Sequence, residues 1–331
     1  MLKSKIPATI VTGFLGAGKT TLVRHLLANA QGRRIALIVN EFGDIGVDSE
    51  ILAGCGAADC AEGGVIELAN GCLCCTVADE FVPAMESLLN RPQPPDHIVI
   101  ETSGLALPKP LVKAFDWPAI RSRVTVDGVV ALVDALSLAE GRFDEPPPDA
   151  PHDDPVEEVF EDQLLCADLV VLNKTDLVAD IEPSLAALRA RLRPGVKVLP
   201  TRQAAIDPAV LLGLGAAVED HLAARPGHHD DAEGHDHDDW ESFAVAMPAL
   251  IDPAVLDARL AAAALAHDIL RCKGFLAVEG KAMRHVVQAV GGRVQRHYDR
   301  PWAPGEAREG RLVVIGLRGL DRAAITALLA G

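Results

Sequence analysis

Aromatic side chains are scarce in this sequence, which has one tyrosine, three tryptophans and eight phenylalanines among 331 residues. Positive charge is also limited, because 31 lysines and arginines are outnumbered by 47 aspartates and glutamates, which gives a net charge of −16. Proteins that bind nucleic acid need cations for the phosphates and, on single strands, aromatic rings for the bases. The composition therefore argues against nucleic acid as a partner.

Long apolar runs are absent as well, and no segment of the sequence reaches the length of a transmembrane helix. The seven cysteines are an odd number and include an adjacent pair, Cys74 and Cys75, which is not the pattern of a disulfide scaffold. We therefore expect a cytoplasmic protein with reduced thiols and no membrane partner.

A phosphate-binding loop lies close to the N-terminus. Residues 13–20 read Gly-Phe-Leu-Gly-Ala-Gly-Lys-Thr, follow an apolar strand-like run at 8–11 and precede a helical pattern at 21–30. In such a P-loop, backbone amides and the helix N-terminus hold the phosphates, Lys19 reaches the β- and γ-phosphates, and Thr20 binds Mg²⁺. The loop residues predicted to bind nucleotide are Gly13, Gly16, Ala17, Gly18, Lys19, Thr20 and Thr21.

A second motif predicts that the base is guanine. An apolar run at 168–172 ends in Asn173-Lys174-Thr175-Asp176. The Asp176 carboxylate can accept hydrogen bonds from N1–H and the 2-amino group of guanine, and adenine lacks this donor pair. Asn173 is expected to brace the loop, and the stem of Lys174 is expected to lie along the ring. The predicted ligands are therefore GTP and GDP.

A third motif lies between these two. A strand-like run at 97–100 ends in Glu101-Thr102-Ser103-Gly104. A carboxylate at the end of a strand beside a P-loop is where an NTPase holds Mg²⁺ or its water shell, although an ordinary polar turn would look similar. Gly104 would let the backbone approach the γ-phosphate. We predict Lys19, Thr20 and Glu101 to be the catalytic residues.

Three thiols occupy four positions in Cys72-Leu73-Cys74-Cys75. Thiolates are ligands for Zn²⁺, Co²⁺ and other borderline-soft ions. Burial as small hydrophobic side chains and a disulfide or redox role are the alternatives for this cluster. Cys166 and Cys272 each lie singly in an apolar pattern and are interpreted as packing residues.

The segment Asn40-Glu41-Phe42-Gly43-Asp44 follows a strand-like run and is interpreted as a switch loop. Glu41 or Asp44 could ligate the thiol-bound metal, ligate Mg²⁺ or position water; alternatively, both are solvated loop carboxylates. The residues predicted to bind metal are Cys72, Cys74, Cys75, Glu41, Thr20 and Glu101.

Strand-like and helical patterns alternate over residues 1–219, with strands expected at 8–11, 34–39, 97–100, 128–134, 169–172 and 196–199. This alternation predicts an α/β domain with a mainly parallel sheet flanked by helices. Residues 220–239 are acidic and form a predicted linker, which either captures metal ions or is simply solvated. Its histidines are His228, His229, His235 and His237. Residues 240–331 predict a smaller α+β domain, with strands at 241–247, 268–278 and 311–317 and helices at 252–266 and 321–329.

These motifs, in this order, resemble the CobW family of metal-handling P-loop GTPases over nearly the whole chain. The resemblance is carried by the P-loop, the Asn40–Gly43 segment, the Cys-x-Cys-Cys, the Glu101–Gly104 segment and Asn173-Lys174-Thr175-Asp176. It implies a SIMIBI-class GTPase domain followed by a smaller C-terminal domain. It also implies that Cys72, Cys74 and Cys75 hold a delivered metal, and that Lys19, Thr20, Asn173 and Asp176 hold the nucleotide.

The function that this resemblance implies is that of a GTP-dependent metallochaperone with slow GTP hydrolysis. The cargo expected from the family is Co²⁺ for the cobaltochelatase of cobalamin biosynthesis, with hydrolysis triggering release. A GTP-regulated zinc chaperone is the alternative, because relatives handle Zn²⁺ or Ni²⁺, and a metal store or buffer is another. A phosphoryl-transferring enzyme is disfavoured because no second basic cluster offers an acceptor pocket. A nucleotide-dependent homodimer is expected by analogy with other SIMIBI GTPases.

Overall fold

A parallel β-sheet forms the centre of the first of two compact units. The computed structural model describes residues 5–40, 65–68, 81–143, 155–225, 240–250, 252–267, 269–290, 293–302 and 307–331. The strands of the first unit are β1 (Ile6–Thr12), β2 (Ile35–Asn40), β3 (Val65–Leu68), β4 (His97–Glu101), β5 (Val124–Asp134), β6 (Leu169–Asn173) and β7 (Lys197–Pro200). Its helices are α1 (Lys19–Ala28), α2 (Val82–Leu89), α3 (Pro108–Ala114), α4 (Pro118–Arg121), α5 (Ala135–Ala139), α6 (Pro155–Cys166), α7 (Glu182–Arg191) and α8 (Pro208–Leu211).

The strand order is β3-β2-β4-β1-β5-β6-β7, and every neighbouring pair is parallel. Strands that are covered by helices on both faces read as continuous apolar runs, and all five residues of both β4 and β6 are buried. The predicted parallel sheet is therefore confirmed. The edge strand β3 was not predicted from the sequence, because Glu67 interrupts its short apolar run.

Because all strands run the same way, their carboxyl ends meet at one edge of the sheet, where open α/β folds bind ligands. The P-loop follows β1, the Glu101–Gly104 segment follows β4, and Asn173 ends β6. The fold therefore brings three motifs to a common edge, although they are far apart in the sequence.

An aromatic stack includes Phe14 of the P-loop. The ring of Phe14 meets the edge of Phe143 at 5.4 Å between centroids, and Phe143 stacks on Phe160 at 4.0 Å with an interplanar angle of 8°. All three rings are buried. Phe143 and Phe160 lie on either side of the Pro- and Asp-rich stretch 144–154, which is outside the described residues.

An antiparallel sheet forms the second unit. It contains β8 (Trp240–Met247), α9 (Ala254–Ala266), β9 (Ile269–Leu276), β10 (Met283–Val290), β11 (Arg293–Pro301), β12 (Gly310–Leu317) and α10 (Arg322–Ala330). The strand order is β11-β10-β9-β12-β8, and α9 and α10 bury Leu256, Leu260 and Ile325 in an apolar core with residues of the sheet. The predicted α+β architecture is confirmed. No described helix is long and apolar enough to cross a membrane.

The sequence did not predict β10 and β11, and the reason is visible in their side chains. Arg284 and His285 interrupt the apolar pattern of β10, yet they are only 1% and 3% exposed. The Arg284 guanidinium lies 3.5 Å from the centroid of the Phe275 ring, a cation–π contact that offsets part of its desolvation. The edge strand β11 exposes polar and charged residues at 295–297, so it shows no apolar alternation.

A buried polar chain crosses the parallel sheet. The Thr9 hydroxyl lies 2.8 Å from Nε2 of His97 and donates to Asp127 Oδ2 at 3.4 Å. The Asp127 carboxylate accepts the backbone amides of residues 213, 214 and 215. Burial lowers the pKa of His97 to about 4, the Asp127 charge opposes this shift, and Arg33 adds to it. Folding therefore favours the neutral imidazole.

The buried group of Thr9, His97 and Asp127 predicts that part of the stability of the fold is lost at acid pH. Above about pH 6.5 His97 is neutral in both states, whereas between 6.5 and 4 the unfolded chain takes up a proton that the folded chain resists. We expect this group to cost about 2 kcal/mol of unfolding free energy on going from pH 8 to pH 5. This change in unfolding free energy is measured by urea unfolding of wild type and His97→Gln at pH 8 and pH 5. His221→Gln is the control, because His221 is exposed. An equal loss in wild type and His97→Gln would contradict the assignment.

Candidate functional site

The backbone of the P-loop requires glycine at two positions. Gly13 and Gly18 have φ angles of +132° and +109°, which L side chains rarely adopt. A Cβ on Gly13 would lie 2.3 Å from the carbonyl oxygen of Leu132, and one on Gly18 would lie 2.4 Å from Nδ2 of Asn173. The loop is therefore packed against the ends of β5 and β6 with no room for larger residues.

Lys19 holds its ammonium group across the mouth of this loop. The side chain is 5% exposed, and Nζ donates to the carbonyl oxygens of Gly13 at 2.7 Å and Phe14 at 3.3 Å. Lys19 is also the first residue of α1, and no side chain caps this helix or adds negative charge to its first turn. The cation and the uncapped helix amides together make a site for an anion such as a phosphate.

Thr20 and Glu101 come together beside the lysine. The Thr20 hydroxyl donates to Oε1 of Glu101 at 2.8 Å, and Glu101 is only 3% exposed at the end of β4. A hydroxyl and a carboxylate are oxygen donors, which are the ligands that Mg²⁺ prefers. The pair therefore fits a magnesium ion next to a phosphate on Lys19.

The segment after β4 packs directly on the P-loop. The amide of Thr102 donates to the carbonyl of Val11 at 3.0 Å, and a Cβ on Gly104 would lie 2.8 Å from the amide nitrogen of Leu15. On its other side, Nε2 of Gln163 donates to the carbonyl oxygens of Gly104 and Ala106, each at 3.2 Å. Sequence reasoning missed Gln163, because no local motif links α6 to this segment.

Asn173 connects the P-loop to a loop at the far side of the site. Its Nδ2 donates to the carbonyl of Ala17 at 2.9 Å, and its Oδ1 accepts the amide of Ala204 at 2.8 Å. Ala204 follows β7 and has a φ of +51°. The 201–205 loop was not identified from the sequence, since its contribution is a backbone amide that no residue type signals.

Lys174 and Asp176 follow Asn173, and they differ in that Lys174 has a protein partner whereas Asp176 is exposed. Lys174 adopts a φ of +60°, and its Nζ donates to Oδ2 of Asp134 at 2.9 Å. Asp176 lies in the 3₁₀ turn Thr175–Leu177 and is exposed. Within the described part of the chain, no side chain pairs with the Asp176 carboxylate, which leaves its oxygens for an external donor. Asp134 was not identified from the sequence.

The thiol cluster of Cys72, Cys74 and Cys75 lies outside the described residues, as do Glu41 and the histidines of the linker. Among the residues that are described, no three His, Cys, Asp or Glu side chains are placed to share a metal ion. Cys166 and Cys272 are both buried, and burial raises the pKa of their thiols to about 11 and about 12. Such thiols stay protonated at neutral pH, as expected for the packing residues that the sequence predicts.

Comparison with known proteins agrees with this geometry. Residues 7–200 match the family described as "CobW/HypB/UreG, nucleotide-binding domain", and residues 240–331 match the "Cobalamin synthesis protein cobW C-terminal domain". The chain belongs to the CobW family. It is accordingly a P-loop GTPase that binds and hydrolyses GTP.

Three relatives extend along almost the whole chain. A protein of Sinorhizobium sp. named "Zinc chaperone CobW" is 52% identical over 99% of this chain and 98% of its own length. One of the same name from Pseudomonas aeruginosa is 52% identical over 97% of this chain and 90% of its own length. "Zinc chaperone YjiA" of Escherichia coli is 31% identical, with 98% of each chain covered.

The crowding at Gly18 predicts a specific loss of nucleotide binding. In Gly18→Ala the new methyl group meets Nδ2 of Asn173 and the backbone φ is unfavourable, so we expect GDP affinity to fall by about tenfold or more. Gly32→Ala is the matched control, because Gly32 also has a positive φ but nothing lies within 4 Å of its Cβ position. Equal GDP affinities of the two variants, measured by fluorescent-nucleotide titration, would show that the contact with Asn173 is unimportant.

Proposed function

We propose that this GTPase is a metallochaperone, in which GTP closes a thiol site around a divalent ion and hydrolysis opens it. The nucleotide is held by the P-loop, Asn173 and Asp176, and Mg²⁺ by Thr20 and Glu101. The transported ion is held by Cys72, Cys74 and Cys75, with Glu41 as a further ligand.

One observation supports this coupling more than any other. Glu67 of β3 and Glu101 of β4 both pair with Val39 of β2, so they are level in the sheet. With two strand spacings between them, their backbones are about 10 Å apart. The chain thus leaves β3 four residues before Cys72, at the same sheet edge as the Glu101 carboxylate. A movement of the loop that follows Glu101 therefore has only a short distance to cross before it affects the segment that contains Cys72.

The position of the proposed switch loop follows from the same edge of the sheet. β2 ends at Asn40 between β3 and β4, and residues 41–44 continue from there. An ordered 41–44 loop in the GTP state would complete the metal site with Glu41, and loss of the γ-phosphate would loosen it. GTP and metal must then raise each other's affinity by the same factor, and about 1–3 kcal/mol of coupling is ordinary.

Zinc is the cargo that is best supported. The relatives described above carry zinc in their names, and a fixed set of sulfur and oxygen ligands binds Zn²⁺ more tightly than Co²⁺. Cobalt for a cobaltochelatase, the cargo expected from the sequence, is the second candidate because residues 240–331 match a domain named for cobalamin synthesis. The linker histidines would serve as a secondary capture site in either case.

The metal hypothesis is tested by chelator competition. We expect Zn²⁺ to bind about tenfold or more tightly in the presence of Mg·GTP than with Mg·GDP. Replacing all three of Cys72, Cys74 and Cys75 by Ser should abolish this difference. Cys272→Ala is the control, because that thiol is buried and protonated. The same titrations with Co²⁺ rank the two cargoes.

Two results would contradict the metallochaperone hypothesis. Metal binding that is indifferent to nucleotide, or that survives the loss of the three thiols, would favour a buffer. Several ions per chain bound with the thiols removed would assign that buffer to the linker histidines, which replacement of His228, His229, His235 and His237 by Gln would test directly.

Glu101 generates a separate prediction for hydrolysis. Glu101→Gln keeps the shape and a hydrogen-bond acceptor for Thr20 but removes the charge that Mg²⁺ needs. We expect kcat for GTP hydrolysis to fall about 100-fold, while GDP binding without Mg²⁺ changes little. Exposed Glu182→Gln, at the start of α7, is the control. A Glu101→Gln enzyme with normal kcat would remove this residue from the catalytic set.

A further inference from the structure

Asp134 makes two different contacts with its two carboxylate oxygens. It ends β5 directly beside Asn173 of β6, and its side chain is 4% exposed. Oδ1 accepts the amides of Leu136 at 3.0 Å and Ser137 at 3.4 Å, which caps α5. Oδ2 accepts a hydrogen bond from Nζ of Lys174 at 2.9 Å. One buried carboxylate therefore links the start of α5 to the loop after β6.

Lys174 is fixed at both of its ends. Its backbone adopts a left-handed conformation that lysine rarely takes, and its neighbour Thr175 anchors it by donating its amide and hydroxyl to the carbonyl of Thr201 at 3.2 and 3.0 Å. The far end of the side chain is held by Asp134. The four methylene groups between these points are consequently restrained at both ends, although a lysine side chain is otherwise very flexible.

We propose that Asp134 is a positioning residue for guanine recognition, acting through Lys174. Holding the stem of Lys174 in place forms an apolar wall for one face of the base before the nucleotide arrives. Binding then loses less side-chain freedom than it would with a mobile lysine. This inference rests on the proposed role of residues 173–176 in binding guanine, and it adds the residue that prepares that site.

The role predicts a characteristic pattern of effects. GDP and GTP carry the same base, so weakening the wall should reduce the affinity for both nucleotides by the same factor. The base takes no part in phosphate cleavage, so KM for GTP should rise while kcat changes by less than about twofold. A purely structural role in capping α5 would instead lower the melting temperature without this pattern.

The experiment is a double-mutant cycle on GDP affinity. Asp134→Asn retains an oxygen that can cap α5 but loses the charge that holds Lys174, and Lys174→Met keeps most of the stem but loses the ammonium group. We expect each variant to bind GDP and GTP about tenfold more weakly, and the double variant to be no worse than either single variant. Asp207→Asn is the control, because Asp207 caps α8 in the same manner through the amide of Ala209.

The outcomes separate this inference from the proposed function. Tight GDP binding by wild type, with Asp134→Asn within about twofold of it, would overturn the role of Asp134 alone. Additive losses in the double variant would also overturn it, because Asp134 would then act by another route. Failure of the wild type to bind GDP would reject the proposed guanine site itself.

A further comparison covers the case in which Asp134→Asn does not fold. Lys174→Arg can still pair with Asp134 and should keep most of the GDP affinity, whereas Lys174→Met should lose it. Equal GDP affinity of Lys174→Met and wild type would overturn the proposal without any change at Asp134.

Discussion

One buried amide, that of Asn173, holds the nucleotide edge of this protein together. It donates to the P-loop at Ala17 and accepts from the 201–205 loop at Ala204, so it links two loops that are far apart in the sequence. The contact exists because residue 18 has no Cβ. Both hydrogen-bonding atoms of this nearly inaccessible side chain are used, which avoids the cost of burying an unpaired polar group.

The two lysines of the site follow a common design. Lys19 rests on carbonyl oxygens of its own loop, and Lys174 rests on Asp134. Each ammonium group is therefore held by oxygen atoms of the protein. A site prepared in this way needs little reorganisation when a ligand binds.

Sequence reasoning succeeded where the determinants are local and failed where they are not. Continuous apolar runs identified β4 and β6, and consecutive residues identified the P-loop, whereas the role of the Asn173–Asp176 segment stays a prediction. Asp134 and Gln163 were not predicted as site residues, because each contacts a partner 40 or more positions away in the sequence and nothing in their immediate neighbours signals that contact. The sequence did not predict β10 for a related reason, since its buried arginine packs on the Phe275 ring of the adjacent strand.

The stack of Phe143 on Phe160 has a consequence for how this protein can vary. Phe143 precedes stretch 144–154 in the sequence and Phe160 follows it, and the centroids of the two rings are 4.0 Å apart. Any number of residues can join two points that are already in contact, and the entropic cost of a longer connection grows only slowly. Stretch 144–154 is thus an insertion site. Evolution could lengthen the chain there, or an experimenter could insert a fluorescent reporter, while the P-loop stays intact.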